Sequence, residues 1–253
     1  MKISSLRRTV IAAVLLATTV PASAGWLDFF RKGKTVTGSG NIQKQVRAAS
    51  GFNEIALNIP AYLELRQGEK ESVEIETDDN LQSLIEVAVE SGALQIRPQQ
   101  KNVYPDSKTL KITVYLKNLA ELKISGWGKV NAEKLQIPGL HIAISGSADV
   151  RVQDLRTEIL EIDISGSGSF SAAGASTEIS GKIGGSGSLL MEALEANDVR
   201  IRIGGSGHVR TWVHHKLDVT VGGSGEIEFY GDPVVTKTIG GSGRLIRLGG
   251  APQ

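Results

Sequence analysis

Ile164-Ser165-Gly166-Ser167-Gly168 and Ile183-Gly184-Gly185-Ser186-Gly187 are two forms of one phrase that the chain writes seven times. The other copies are Ile124-Ser125-Gly126-Trp127-Gly128, Ile144-Ser145-Gly146-Ser147-Ala148, Ile203-Gly204-Gly205-Ser206-Gly207, Val221-Gly222-Gly223-Ser224-Gly225 and Ile239-Gly240-Gly241-Ser242-Gly243. Self-similarity at a period of roughly 20 residues marks a solenoid, in which one repeat cannot bury its apolar face alone and must stack on its neighbours.

Working outward from the phrase, apolar and polar residues alternate on both sides of it, as they do along a half-buried strand. Aligned copies give inward columns. Ahead of the phrase stand Ala120, Leu140, Leu160, Ile179, Val199, Leu217 and Val235, then Leu122, Ile142, Ile162, Gly181, Ile201, Val219 and Lys237. Its first residues form the next column, Ile124 to Ile239. Behind it come Val130, Val150, Phe170, Leu189, Val209, Ile227 and Leu245, then Ala132, Val152, Ala172, Met191, Thr211, Phe229 and Arg247. A last column holds Leu135, Leu155, Ala175, Leu194 and His214. Two strand-like segments per repeat, without helical periodicity or hairpin loops, predict parallel strands stacked about 4.8 Å apart. The fold class is all-β, a parallel β-helix of about 20-residue coils. Ile164 is expected deep in mid-stack. Gly181 is expected to thin or distort the stack, and Lys237 to lie near its open end.

A chain that turns sharply in every coil calls for residues that accept positive φ and bring no Cβ against the neighbouring coil, which glycine does. The serines of the phrase, Ser147, Ser167, Ser186, Ser206, Ser224 and Ser242, are then expected to form a structural ladder along one edge. They do not read as nucleophiles, because no G-x-S-x-G elbow forms and no His or acid recurs beside them.

Upstream, Met1 to Ala24 (residues 1–24) reads as a signal peptide: basic Lys2, Arg7 and Arg8, an apolar core from Thr9 to Val20, and a small-residue cleavage site at Ala22-Ser23-Ala24. The apolar run is too short to span a bilayer, so no transmembrane span is expected in the mature chain. The protein is expected to be exported, to the periplasm or the cell exterior. Of the 28 Lys and Arg, those three fall in the leader, leaving 25 against 27 Asp and Glu. That balance supplies no bulk attraction to nucleic acid. With zero Cys there is no disulfide framework, thiol chemistry or Cys metal site. Residues 25–36 are read as an N-terminal tail or cap. Within them Trp26, Phe29 and Phe30 beside Arg31, Lys32 and Lys34 suit weak contact with a membrane interface; a cap on the first coil, or a tail, accounts for the same residues.

Residues 37–118 form a β-rich but less regular half ahead of the repeats at 119–248. Gly38-Ser39-Gly40-Asn41 looks like a first corner, alternating runs follow at Phe52 to Ile59, Tyr62 to Leu65, Val73 to Thr77, Val87 to Ile96 and Leu110 to Leu116, and Asp78 to Ile85 is the one plausible helical turn. Whether this half continues the solenoid stays open in the sequence. Gly38-Ser39-Gly40-Asn41, Gly51-Phe52-Asn53-Glu54-Ile55, Asp78-Asp79-Asn80-Leu81, the Ser-Gly-Ser-Gly corners and Phe229-Tyr230-Gly231-Asp232-Pro233, in that order, resemble the head GIN domain family of putative autotransporter adhesins. The resemblance spans nearly all of residues 37–248. It implies an exported, right-handed β-helical domain of the bacterial envelope with no established reaction. The chain departs from the adhesin label in having no coiled-coil stalk heptads and no C-terminal membrane-barrel strands.

Outward positions ahead of the corners carry Glu121, Lys123, His141, Glu161, Asp163, Lys182, Arg200, Arg202 and Asp218. Parallel β-helices also host polysaccharide lyases and hydrolases, so a β-helical enzyme acting on an envelope or extracellular polysaccharide is the alternative function. Its nearest candidate acids are Glu161 and Asp163, two residues apart on one face. Opposite charges that pair across adjacent coils account for the same residues. Metal binding is not supported: of four His only His208, His214 and His215 are near each other, consecutive His on a strand point to opposite faces, and the corners lack the Asp of calcium-binding nonapeptide repeats. No dinucleotide motif is completed, and no cofactor is expected. The sequence therefore points to a non-catalytic envelope or adhesin-like module, binding or structural, whose partner is an envelope polymer or protein. Lys182, Arg200 and Arg202 are its expected contact strip.

Overall fold

A computed structural model of the chain describes residues 33–252. The expected signal peptide and the expected interfacial residues Trp26, Phe29 and Phe30 lie outside the described residues. Nine strands precede the repeats: β1 (Lys34–Thr37), β2 (Ile42–Arg47), β3 (Glu54–Leu57), β4 (Ala61–Gln67), β5 (Ser72–Asp78), β6 (Ile85–Glu90), β7 (Ala93–Pro98), β8 (Val103–Asp106) and β9 (Lys111–Leu116). The repeats supply β10 (Glu121–Ile124), β11 (Gly128–Gln136), β12 (Gly139–Ile144), β13 (Asp149–Ile164), β14 (Ser169–Ile183) and β15 (Ser188–Ile203). They end with β16 (His208–Val221), β17 (Glu226–Tyr230), β18 (Val234–Ile239) and β19 (Arg244–Gly249). Asp79–Leu84 forms a short 3-10 helix, where the sequence predicts a helical turn. The result is a β-solenoid of about six turns, roughly 20 residues apart.

Register follows the repeat. Leu122 lies beside Ile142, Ile142 beside Ile162, and Ile162 beside Gly181, all in parallel strands. The aliphatic columns close into one core in which Ile124, Ile144, Ile164, Ile183, Ile203 and Val221 are almost wholly buried. Each such side chain taken from water contributes about 1.5–3 kcal/mol. Ile164 sits mid-stack, where the sequence puts it.

Several column positions differ from the expectation. Ala120 faces out and Leu119 is buried in its stead, a one-residue offset just ahead of the strand that begins at Glu121. Ala175 and His214 do not join the last column: Leu155 is opposite Gly174, and Gly174 is opposite Leu194. A further inward column, missed in the sequence, runs through Ile137, Thr157, Ser176, Ala196 and Val213, all buried. Thr157 and Ser176 hide there because their hydroxyls lie 3.1 Å from the carbonyl oxygen of Ile159 and 3.0 Å from that of Glu178, so neither polar group is left unpaired. One slip arises at a register shift between Val152 and Leu155, opposite Ala172 and Gly174, and the other between Met191 and Glu195, opposite Thr211 and Trp212. There the 20-residue spacing from Ile183 to Ile203 shortens to 18 from Ile203 to Val221. His214 is thereby carried to the surface and Val213 inward.

Gly181 neither thins nor distorts the stack. The space that its side chain would fill is taken by Leu189 Cδ1 and Ile201 Cδ1, which an added Cβ would meet at 2.5 and 3.0 Å. Lys237 lies on the last coil and is exposed, as is Arg247, so two of the apolar columns end in charge. Inward-directed charge on a terminal strand discourages further edge-to-edge pairing.

The corners show why glycine recurs. A Cβ on Gly166, Gly185, Gly205, Gly223 or Gly241 would stand 2.1–2.2 Å from a carbonyl oxygen of the preceding coil. Of the glycines in the seven repeat corners only Gly126 has positive φ. Close backbone approach, not the expected left-handed conformation, is the demand at the others. The corner serines are exposed, and the amides of Ser147, Ser167, Ser186, Ser206 and Ser224 each donate to a corner carbonyl of the coil before, at 2.8–3.1 Å.

The N-terminal half joins the same stack, out of chain order. β3 lies between β7 and β10, and β4 between β9 and β11, all parallel. The far side is closed by antiparallel strands: β5 runs between β9 and β2, and β6 flanks β7. A clasp of side chains holds this cap. Asp78 accepts from the Gly40 amide at 2.6 Å and the Ser107 hydroxyl at 2.5 Å, and Asp79 from the Ser39 hydroxyl at 2.5 Å and the Asn41 amide at 2.9 Å. Asn80 accepts from the Ser39 amide and donates to the Thr37 carbonyl. Gly38 must be glycine here, since a Cβ would lie 2.3 Å from the Asp78 carboxyl.

Candidate partner-binding face

Side chains alternate along a strand, so the residues between the buried Ile and Leu of β10, β12 and the second halves of β13 to β16 all face out on one side of the solenoid. Parallel register sorts them into two rows. One runs Glu121, His141, Glu161, Ser180, Arg200, Asp218, and the other Lys123, Ala143, Asp163, Lys182, Arg202, Thr220. Lys182, Arg200 and Arg202 thus share one face, as the sequence expects, with Glu161 and Asp163 on the coil before that of Lys182.

The charges are largely answered by their neighbours. Lys182 Nζ is 3.3 Å from Asp163 Oδ1, and Arg200 Nε is 3.4 Å from Asp218 Oδ2. Among the described residues Arg202 has no carboxylate within ion-pair distance. His141 bridges two acids, with Nδ1 3.1 Å from Glu121 Oε1 and Nε2 3.1 Å from Asp163 Oδ2. Burial works to raise the Glu121 pKa, but Lys123, 2.6 Å away, together with His141, holds it below the usual carboxylate range. The Glu121 carboxylate in turn raises the pKa of Lys123. Exposed pairs of this kind contribute only about 0–1 kcal/mol each, so the ladder costs little to rearrange around a partner.

Beside the strip runs a shallow groove lined by Glu161, Glu178, Asp198, Arg200, Lys216 and Asp218. The sequence reading misses Glu178, Asp198 and Lys216 because the same place in the earlier coils, five residues ahead of the corner, holds the uncharged Gly139 and Ile159. Their signal is register: Glu178, Asp198 and Lys216 are successive partners. Among the described residues no group of three His, Cys, Asp or Glu is placed to hold a metal ion, and His208, His214 and His215 are each set beside acids or solvent. No helix among them is long and apolar enough to cross a membrane.

A second surface lies on the next side of the solenoid. At the first corner the place of the serines is taken by Trp127, which is 65% exposed. With Pro60, Tyr62 and Leu110 it lines a hollow rimmed by Lys129 and Asp149. Tyr62 is fixed from two sides: its hydroxyl accepts from Asn131 Nδ2 at 2.7 Å, and Lys111 Nζ stands 5.7 Å from its ring centre. Sequence reasoning misses Trp127 as a site residue, although it is the one residue of its column in the seven copies that is not Ser.

The family described as "putative auto-transporter adhesin, head GIN domain" matches residues 51–233. Among solved structures, a "putative adhesin" from Bacteroides fragilis is 25% identical with a TM-score of 0.80, covering 84% of this chain and 100% of its own. A "putative lipid binding protein" from Parabacteroides distasonis is 26% identical with a TM-score of 0.73, covering 85% of this chain and 100% of its own. A "putative adhesin" from Parabacteroides merdae, 23% identical with a TM-score of 0.67 over 85% of this chain and 99% of its own, shares the fold. No curated protein matches the chain.

Proposed function

We propose, from the premise that the chain belongs to the family of putative auto-transporter adhesins with the head GIN domain, that it is an exported, non-catalytic binding module of the bacterial envelope. The observation that carries this reading is the flat double row of charged side chains on one side of a rigid solenoid. Such a surface offers many weak contacts at fixed spacing, about 4.8 Å between coils and about 7 Å between alternate strand residues, and weak contacts so arrayed act together. The alternative, a polysaccharide-cleaving enzyme, requires a pair of acids free to act on a scissile bond, whereas the groove beside the strip sets Glu161, Glu178, Asp198 and Asp218 among Arg200 and Lys216, with Asp218 3.4 Å from Arg200. Asp163, two residues from Glu161 on the same face, is engaged by His141 and Lys182.

The contact strip is Lys182, Arg200 and Arg202, and the partner is an extended polymer bearing anionic groups. Arg202 meets it directly, while Lys182 and Arg200 exchange Asp163 and Asp218 for it. Reversing all three to Glu leaves the fold intact, since each side chain is exposed, and is expected to abolish retention of the purified protein on isolated envelope polymer at low salt. Unchanged retention sinks the strip as the contact. Protease shaving of intact cells, with fractionation of the remainder, tests export itself.

A further inference from the structure

The Trp127 hollow is on a different side from the charged rows and has a different chemistry. We propose that it is a glycan-binding site in which Trp127 and Tyr62 stack against the face of a pyranose ring while Lys129 and Asp149 bond its hydroxyls. The inference rests on the reading of the protein as a binding module but not on the Lys182, Arg200 and Arg202 strip.

Four observations point there. First, Trp127 does nothing for the core: it is 65% exposed and sits where the next six corners carry serine. Second, the hollow, of about 350 Å³, is of small-ligand size. Third, its second aromatic is held in advance. Tyr62 is clamped by Asn131 at 2.7 Å and faced by the Lys111 ammonium, so little conformational freedom is lost when a ligand arrives. Fourth, the rim carries a donor and an acceptor on adjacent strands, since Lys129 is the register partner of both Tyr62 and Asp149. Asp149 already accepts from Ser169 Oγ at 2.6 Å, which orients its carboxylate and leaves lone pairs for a ligand hydroxyl.

Sugar rings have one chemistry that matches this set. Their C–H faces are weakly positive and settle on the negative face of an aromatic ring, while their edges are hydroxyls that need donors and acceptors around the rim. An acyl chain would leave Lys129 and Asp149 desolvated without partners, and two aromatics are a small patch for a protein interface.

The test titrates the full chain with chitohexaose and with maltohexaose, following tryptophan fluorescence and heat. At least one is expected to bind saturably with a fluorescence shift. Trp127→Ser, which installs the residue of the other corners and so preserves the fold, is expected to weaken binding by about tenfold or more. Tyr62→Ala is expected to weaken it less, and Trp127→Phe to retain part of it. The Lys182, Arg200 and Arg202 reversal is expected to leave saccharide binding unchanged, which separates this site from the charged strip. Absence of saturable binding to either saccharide, affinity untouched by Trp127→Ser, or Trp127-dependent sedimentation with phosphatidylethanolamine–phosphatidylglycerol vesicles in place of saccharide binding would each overturn the proposal.

Discussion

The corner at Gly205 and the corner at Gly38-Ser39-Gly40-Asn41 both turn the chain between strands, by opposite means. In the repeats the turn is made of backbone alone: Gly205 packs so closely that a Cβ would stand 2.1 Å from the Gly185 oxygen, and the corner amide of Ser206 donates to that same carbonyl. At the N-terminal end the turn is held by side chains, with Asp78, Asp79 and Asn80 reaching across to Ser39, Gly40 and Asn41. The difference follows from position. A coil inside the stack has an identical neighbour on each side, so one backbone solution can be repeated. The first coil has no neighbour on its outer side, and its antiparallel cap must be fastened by groups that need not repeat.

The comparison breaks most sharply in mid-stack. Ile164→Asp places an unpaired charge in a position 1% exposed, and is expected to cost about 4 kcal/mol or more, or to prevent folding outright. Melting by circular dichroism measures it, and a variant that melts like the parent would show that the repeat core is not what holds the chain.

Two adjacent glycines sharpen the backbone side of the contrast. Gly205→Ala must push two coils apart and is expected to cost about 2–4 kcal/mol. Gly204→Ser, where an added Cβ meets nothing closer than the Ile183 oxygen at 3.9 Å, is expected to change stability by less than about 0.5 kcal/mol. The chain makes the same exchange itself, since Ser125, Ser145 and Ser165 occupy that place in earlier coils. Equal urea midpoints for the two variants would remove close approach as the reason for the corner glycines.

The smallest effect belongs to the clasp and depends on pH. Hydrogen bonds to Asp78, from Ser107 and then Gly40, and to Asp79, from Ser39 and then Asn41, depress both pKa values below the ordinary 3.8. A carboxylate with a depressed folded pKa stabilises fully above its unfolded value and loses that contribution as pH falls through the folded one. Protection of the β2 amides against hydrogen exchange is therefore expected to drop on acidification below about 3.8, ahead of the amides in β13 to β15. Asp79→Ala is expected to reproduce the loss at neutral pH. Uniform protection across β2 and β14 at every pH would mean that the clasp is not what secures the cap.

The same contrast explains which residues were legible. Buried Ile124, Ile144 and Ile164 announce themselves because each repeats the environment of the last. Glu178, Asp198 and Lys216 do not, since the same place five residues ahead of the corner holds Leu119, Gly139 and Ile159 in the earlier coils, so no charge pattern runs through that column. Trp127 was visible as a break in the serine column, but its meaning needs Tyr62, which lies 65 positions earlier and reaches it only through the pairing of β4 with β11.

Sequence by itself determined the stacked parallel coils, their core columns through Ile164, the charged outer rows and the family, because a period of two within a period of about 20 has few other physical solutions. Only the tertiary structure decided that β3 and β4 insert between coils formed later in the chain, that Val213 and not His214 turns inward, that Leu189 and Ile201 fill the gap at Gly181, and that Asp78 to Asn80 clasp a segment some 40 residues away. Each of those is a choice among contacts between residues distant along the chain, and such contacts are selected by packing and hydrogen-bond satisfaction, which leave no periodic trace in the order of the residues.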